Sequence, residues 1–216
     1  VNLPSTLKQI GYAAFYGCTG LTSIDLPDGL QNLGSEAFSG CSGLRSISIP
    51  SSVSTIEYRS FYNCTGLTSV EIAKGITTIN SEAFSGCSGL TSVSLPDGLE
   101  AIYRQAFQNC TSLESIVLPD SITTMGSYVF NGCSRLTSVN YPTSWNTMDL
   151  GGYAVPYSPF GYCKSLTSIT IPEGVTAIPK YAFSDASNLK TVNLPSTLKQ
   201  IGYAAFYGCT GLTSID

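Results

Sequence analysis

Residues 87–107 read CSGLTSVSLPDGLEAIYRQAF, and this stretch decides the fold. Val93 and Leu95 alternate with serines, which is the period-two pattern of a half-buried strand. The Pro-Asp-Gly that follows is typical of a turn. Ile102 then marks a second short extended segment, and residues 104–108 are compatible with a single helical or 3₁₀ turn. The stretch therefore predicts a strand, a turn, a short strand and a helical turn.

The same unit recurs with a period of 23 residues. Each of the nine phenylalanines stands three residues before a small residue, and a leucine follows three residues after it. The small residues are Cys18, Cys41, Cys64, Cys87, Cys110, Cys133, Cys163, Ala186 and Cys209. Because one such unit cannot bury its apolar face alone, the repetition predicts a solenoid with a continuous core. We expect a single domain over 1–216, built from about nine repeats.

The eight cysteines lie in one column of this solenoid. Stacked side chains point in parallel directions, which does not suit the approach of two sulfurs in a disulfide. Ala186 fills the same position without sulfur, and free cysteine behaves as a small hydrophobe. The pattern predicts buried, reduced thiols.

Composition excludes several functional classes. Charged residues make up 11% of the chain and the net charge is −4, so there is no basic surface for nucleic acid. No apolar run reaches the roughly 18 to 20 residues that cross a bilayer. Histidine is absent, and neither a base beside the serines nor a Gly-rich phosphate loop is present. We therefore expect no enzymatic activity, no catalytic residue and no cofactor.

The repeat LTSIxLPxxLxxIxxxAFxGC resembles the BspA-like leucine-rich repeats of bacterial and protist surface proteins, over essentially the whole chain. The resemblance implies a leucine-rich-repeat solenoid with a parallel β-sheet on one face and short second strands and turns on the other. It also implies an extracellular or cell-surface location. The implied function is adhesion or protein binding, with a host or matrix protein as partner.

The period breaks once, because Cys133 and Cys163 are 30 residues apart. The seven extra residues are predicted within 149–158, and Tyr141 and Trp145 stand where other repeats have aliphatic residues. One interpretation is an aromatic site for a partner or a glycan. The other, which we favour, is that Tyr141 and Trp145 fill a widened core while the loop packs over it. The candidate binding residues here are Asp149, Tyr153, Tyr157 and Tyr162.

A second candidate surface is the outward side of the strands. Asp25, Glu71 and Asn140 are its candidate binding residues. The alternative is that these positions are polar only because they face solvent. The complete outward row is Asp25, Ser48, Glu71, Ser94, Val117, Asn140, Thr170 and Asn193.

Two further motifs have ordinary structural explanations. Asp97 and Asp120 follow the strand proline in successive repeats and could share Ca²⁺, but an acid after proline is common in turns. We therefore predict no metal site. Asn63 and Asn109 fit the N-glycosylation pattern, and both also stand at the position of a left-handed cap.

Residues 1–25 recur unchanged as 192–216. This copy reflects either a duplication within a longer array of period 191 or chain ends chosen so that they overlap. Both explanations make the chain a fragment of a longer array. Uncapped solenoid ends would favour head-to-tail association of copies. Self-association into a fibre and carbohydrate binding at the insertion are thus the alternatives to a protein-binding or structural surface array.

Overall fold

The computed structural model describes residues 1–147 and 158–216, which form successive coils stacked along one axis. Most of the described coils contribute a short strand to each of two parallel ladders. The front ladder contains β3 (Ser46–Ile49), β5 (Ser69–Ile72), β7 (Ser92–Ser94), β9 (Ser115–Ile116), β11 (Ser138–Val139), β12 (Ser168–Thr170), β14 (Thr191–Asn193) and β16 (Ser214–Ile215). The rear ladder contains β1 (Gln9–Ile10), β2 (Asn32–Leu33), β4 (Thr55–Ile56), β6 (Thr78–Ile79), β8 (Ala101–Ile102), β10 (Thr124–Met125), β13 (Ala177–Ile178) and β15 (Gln200–Ile201).

The register of both ladders follows the sequence period. Val70 pairs with Ile47 on one side and with Val93 on the other, so equivalent residues of neighbouring repeats lie side by side. In β3, β5 and β7 the serines face solvent and the aliphatic residues that alternate with them are buried. The predicted leucine-rich-repeat solenoid is confirmed.

The segment between the rear strand and the cysteine is a chain of turns. Ser85 N–H donates to Glu82 O of its own coil at 3.1 Å, whereas Phe84 N–H donates to Ala106 O of the next coil at 2.8 Å. Bonds of the first kind have the i to i−3 spacing of a 3₁₀ turn. Positive φ at Glu82 (58°) and Gly86 (76°) keeps these turns separate, so the segment forms single tight turns with 3₁₀-type bonds, as predicted, and no longer helix. The left-handed cap before the cysteine is confirmed.

The phenylalanine column forms the centre of the core. Phe61, Phe84 and Phe107 stack with ring centroids 5.2 Å apart and are fully buried. Burial of each such side chain contributes about 2 to 3 kcal/mol. The thiols lie beside this column, and Cys87 Sγ donates to Phe61 O of the preceding coil at 3.1 Å. The cysteines of the described residues are free thiols, buried except at the two ends of the column.

Both ladders are interrupted at particular steps between coils. Among the described strands, the front ladder is unpaired between β7 and β9 and between β11 and β12, and the rear ladder between β2 and β4 and between β10 and β13. At the β11–β12 interruption, Tyr141 and Trp145 lie in the core. Their rings contact edge to face, with centroids 5.0 Å apart. These rings are larger than the aliphatic residues of other coils, so we attribute the loss of pairing there to the wider core.

A 3₁₀ helix, Thr143–Thr147, precedes the insertion. The predicted site residues Asp149, Tyr153 and Tyr157 lie outside the described residues, as does nearly all of the predicted insertion. Among the residues that the structure describes, no helix is long and apolar enough to span a membrane.

Candidate interaction face

The outward row of the front ladder forms one exposed face, here called the front face. Asp25, Glu71 and Asn140 are all exposed on it, as the strand alternation predicts. Asp25 and Glu71 line the same shallow groove of about 280 Å³, while Asn140 lines a second groove of about 350 Å³. The front face therefore brings two of the three candidates together and leaves the third several coils away.

The first groove is acidic and rich in hydroxyl groups. Ser48 lies between the strand positions of Asp25 and Glu71, and its Oγ donates to Glu71 Oε2 at 3.1 Å. Ser23, Ser46 and Ser69 complete the polar lining. Carboxylates on an exposed, shallow surface suit a basic partner more than an acidic one.

The second groove lies at the interruption between β11 and β12. Elsewhere the residue that precedes each front strand donates to its equivalent one coil earlier, as Thr137 N–H does to Glu114 O at 2.9 Å. Within the described residues no such bond joins Thr167 to Thr137. The groove is thus an opening in the ladder, lined by strand hydroxyls and bordered by Tyr141.

The side chain of Asn140 is already engaged by the backbone. Its Nδ2 donates to Leu118 O at 2.8 Å, and its Oδ1 accepts Leu118 N–H at 2.7 Å. The amide therefore replaces the backbone pairing that Leu118 lacks. This contact gives Asn140 a structural role, which sequence reasoning did not foresee.

Val117 is the one apolar residue of the outward row, and 71% of it is exposed. It lies in the coil before Asn140. An exposed valine at the centre of a polar surface supplies apolar contact area for a partner. The signal was present in the sequence as one aliphatic residue in an otherwise polar column.

Tyr162 lies on the turn side and not on the front face. It borders a small cleft of about 70 Å³ together with Tyr128, Asn131 and Asp185. Tyr162 has φ 58° in the position where most coils have glycine or asparagine, and 62% of the residue is exposed. The structure thus separates Tyr162 from Asp25, Glu71 and Asn140.

The turn side is rich in tyrosine, a feature that sequence reasoning missed. The chain has thirteen tyrosines, of which Tyr153 and Tyr157 lie outside the described residues. Of the eleven others, ten occupy turn segments, and only Tyr141 belongs to the core. Arg59 lies between two of them, with its guanidinium carbon 5.0 Å and 4.8 Å from the ring centroids of Tyr58 and Tyr62.

Tyr141 and Trp145 occupy the core, as the favoured interpretation of the insertion requires. Trp145 also contacts the ring of Phe160 at a centroid distance of 6.1 Å. Burial raises the pKa of the Tyr141 hydroxyl. Trp145 Nε1 is buried without a hydrogen-bond acceptor among the described residues.

The turn acids bond to the next coil. Asp120 Oδ1 accepts both the N–H (2.7 Å) and the Oγ1 hydroxyl (3.0 Å) of Thr143. Glu173 binds Ser196 in the same way, and these hydrogen bonds lower the pKa of its carboxyl group. Where the structure describes the chain, no three potential metal ligands of the His, Cys, Asp or Glu type cluster together. The contacts support the turn interpretation of these acids.

Two parallel ladders around a phenylalanine and leucine core, with an exposed face of short polar side chains, define a leucine-rich-repeat protein. The chain belongs to the family of the BspA type leucine rich repeat region, whose model matches residues 1–110, 54–154 and 153–216. Leucine-rich-repeat solenoids of this kind generally mediate protein interactions and are generally not enzymes.

Solved structures support the assignment. The *T. pallidum* leucine rich repeat protein TpLRR is 31% identical, with 77% of each chain covered and a TM-score of 0.63. A leucine rich cell surface protein from *Faecalibacterium prausnitzii* is 28% identical, with 100% of this chain and 68% of that one covered and a TM-score of 0.55. The pneumococcal vaccine antigen PcpA is 21% identical, with 92% and 59% covered and a TM-score of 0.59, and shows the fold alone. No curated protein matches the chain.

Proposed function

We propose that this chain is a non-enzymatic protein-interaction array of a cell-surface protein and that it binds its partner through the front face. The observation that carries the proposal is the combination of the exposed Val117 with two polar grooves on one continuous surface. The flat row of short side chains supports it, because serine and threonine lose little conformational entropy when a partner orders them.

The location is part of the same proposal. The *F. prausnitzii* relative is described as a cell surface protein, and it is similar to this chain over the full length of the chain. A surface location would give the front face access to host or matrix proteins. Adhesion is the function that follows from such access.

The chemistry of the face specifies the partner further. Asp25 and Glu71 make the first groove acidic, and the chain carries a net charge of −4. A basic surface patch on the partner would complement this groove. Binding should then weaken as salt is raised, because exposed charges are screened over about 8 Å at physiological ionic strength.

The test is binding of the purified chain to a panel of host extracellular matrix proteins. Ser94→Arg and Val117→Arg place bulky charges on the front face, whereas Thr78→Arg and Thr124→Arg place the same charge on the rear ladder. Loss of binding with the front pair alone supports the proposal. Equal binding by both pairs, or no specific binding by the unchanged chain, contradicts it.

Head-to-tail self-association and a glycan site at the insertion stay predictions. Sedimentation over a range of concentrations tests the first. Growth of the assembly with concentration would support it, whereas a constant monomer mass would contradict it. Deletion of residues 151–156 followed by glycan-array binding tests the second.

A further inference from the structure

The rear ladder opens between β2 and β4, and a cleft of about 290 Å³ fills the opening. In the neighbouring coils, Gly34 N–H donates to Ile10 O and Asn80 N–H donates to Ile56 O, both at 2.8 Å. Within the described residues, no backbone hydrogen bond joins Gln31–Gly34 to Ser54–Glu57. Backbone donors and acceptors of two coils therefore face the cleft without partners in the ladder.

The opening coincides with a change of residue at one repeat position. Gly34 approaches the preceding coil so closely that a Cβ on it would lie 2.6 Å from the carbonyl carbon of Gly11. Glu57 occupies this position one coil later and carries a Cβ. Asn80 follows at the same position, and its coil again pairs with that of Glu57. A Cβ at this position does not by itself open the ladder, because Asn80 carries one and its N–H still donates to Ile56 O at 2.8 Å. The opening is therefore specific to the step from Gly34 to Glu57.

The cleft presents three primary amides that the protein does not use. Gln9, Gln31 and Asn32 line it, and their side chains form no hydrogen bond with other described residues. Glu57 adds a carboxylate whose Oε2 accepts Asn80 Nδ2 at 3.0 Å, which leaves Oε1 available. The hydroxyls of Ser54 and Thr55 complete a lining that is rich in donors and acceptors.

Two tyrosines belong to the turn segments next to the cleft. Tyr12 directly follows Gly11, Tyr58 directly follows Glu57, and both rings are exposed. Glu36 connects them, because its Oε1 accepts the Tyr12 hydroxyl at 3.4 Å and its N–H donates to Tyr58 O at 2.9 Å. The exposed rings of Tyr12 and Tyr58 therefore belong to the turns that follow two of the segments lining the cleft, although neither residue lines it.

We propose that this cleft binds a neutral carbohydrate. A sugar hydroxyl both donates and accepts, so a pair of adjacent hydroxyls matches the donor and acceptor of one amide or the two oxygens of a carboxylate. The apolar C–H face of a sugar ring can pack on tyrosine. Glu57 and Glu36 repel anionic groups, and no cationic side chain lines the cleft to hold a phosphate or a carboxylate. This site lies on the rear ladder, so it is independent of the protein-binding front face.

The test is a titration of the whole chain with lactose, cellobiose and chitobiose, followed by the side-chain amide signals in ¹⁵N NMR, with sialyllactose as the anionic comparison. We expect the Gln9, Gln31 and Asn32 amide signals to move with at least one neutral disaccharide. Asn32→Ala should weaken that binding about tenfold, the value of one hydrogen bond of about 1.4 kcal/mol. Absence of shifts with every neutral disaccharide, or equal binding of sialyllactose, overturns the proposal.

The duplicated sequence provides a matched control. Gln200 has the same local sequence as Gln9 and is exposed, but it does not line this cleft, and its strand pairs with that of the preceding coil. Gln9→Ala should weaken binding, and Gln200→Ala should leave it unchanged. An equal effect of the two substitutions overturns the assignment to this cleft.

A second pair of variants separates the hydrogen-bonding atoms of Glu57 from its charge. Glu57→Gly removes the side-chain oxygens from the lining of the cleft, so binding should be weakened. Glu57→Gln keeps the Cβ and the hydrogen-bonding atoms, so it should retain binding. If Glu57→Gly leaves binding unchanged, the proposal is contradicted, whatever the effect of Glu57→Gln.

Discussion

The side chain of Asn63 lies against the Cα of Gly86 in the next coil, so a Cβ on Gly86 would overlap Asn63 Oδ1. Both residues occupy the left-handed position before the cysteine, with φ 54° and 76°. Asn109 and Gly132 repeat the arrangement, as do Asp185 and Gly208. At this left-handed position, a residue with a side chain is therefore followed by a glycine one coil later. Tyr162 is the exception, because Asp185 occupies the position in the next coil.

We expect Gly86→Ala to destabilise the protein more than Gly40→Ala. Both positions have positive φ, which costs alanine about 1 to 2 kcal/mol. At Gly40 a Cβ would meet Gly17 Cα at an ordinary 3.6 Å, whereas at Gly86 it would also displace the exposed side chain of Asn63, which adds a smaller loss. Urea unfolding measures the difference. The double variant with Asn63→Gly should recover the added loss, and no recovery would show that the overlap is not its cause.

The phenylalanine column predicts a difference between the interior and the end of the array. Phe84 is stacked on both sides and fully buried, so Phe84→Ala should cost about 3 to 5 kcal/mol of unfolding free energy. Phe206 is half-buried and stacks within the described chain on Phe183, so its replacement by alanine should cost less. Chemical denaturation of both variants provides the comparison, and equal losses would argue against a stacked core.

Thiol reactivity should follow position in the cysteine column. Cys18 is exposed and Cys209 half-buried, whereas Cys41, Cys64, Cys87, Cys110, Cys133 and Cys163 are buried. Burial raises the pKa of Cys87 and Cys110 well above the ordinary range, so the reactive thiolate is scarce. Iodoacetamide should modify Cys18 first and the six buried thiols only after denaturant is added, as counted by mass spectrometry. Rapid modification of all eight in the folded protein would contradict this.

The same thiols predict a loss of stability at alkaline pH. Burial raises the pKa of Cys41 to about 11 and that of Cys64 to about 12, from an ordinary value of 9.0. Above pH 9 the unfolded chain therefore binds fewer protons than the folded chain, and the unfolding free energy falls as pH rises towards 11. Cys64→Ala should make this decline shallower, since alanine occupies the same position at Ala186. An identical pH profile for the variant would exclude the thiol as a cause.

Asn140 should be more important for stability than its exposure suggests. Asn140→Asp removes the donor to Leu118 O, so we expect a loss of about 1 to 2 kcal/mol from a broken hydrogen bond and an unpaired carbonyl. Asn193 occupies the same column and bonds only the exposed Thr170 hydroxyl, so Asn193→Asp should have a smaller effect. Thermal unfolding at neutral pH distinguishes the two, and equal melting temperatures would contradict a structural role for Asn140.

The sequence alone determined the solenoid, its period, its core and its register. Phe84, Cys87 and Leu90 recur at fixed spacing, so equivalent residues must stack and their burial does not depend on the rest of the chain. Reduced, buried thiols and the left-handed caps followed from the same local pattern. The polar outward row was also evident, because strand alternation fixes which side chains face solvent.

Only the tertiary structure decided where the ladders open and which polar groups remain available. The gaps beside Glu57 and Tyr141 depend on contacts between neighbouring coils, which no single repeat specifies. Contacts between coils also placed Asn140 against Leu118 and left the side-chain amide of Gln31 without a partner in the described chain. A repeat pattern specifies each coil by itself, whereas a binding cleft between coils arises from the differences between successive repeats.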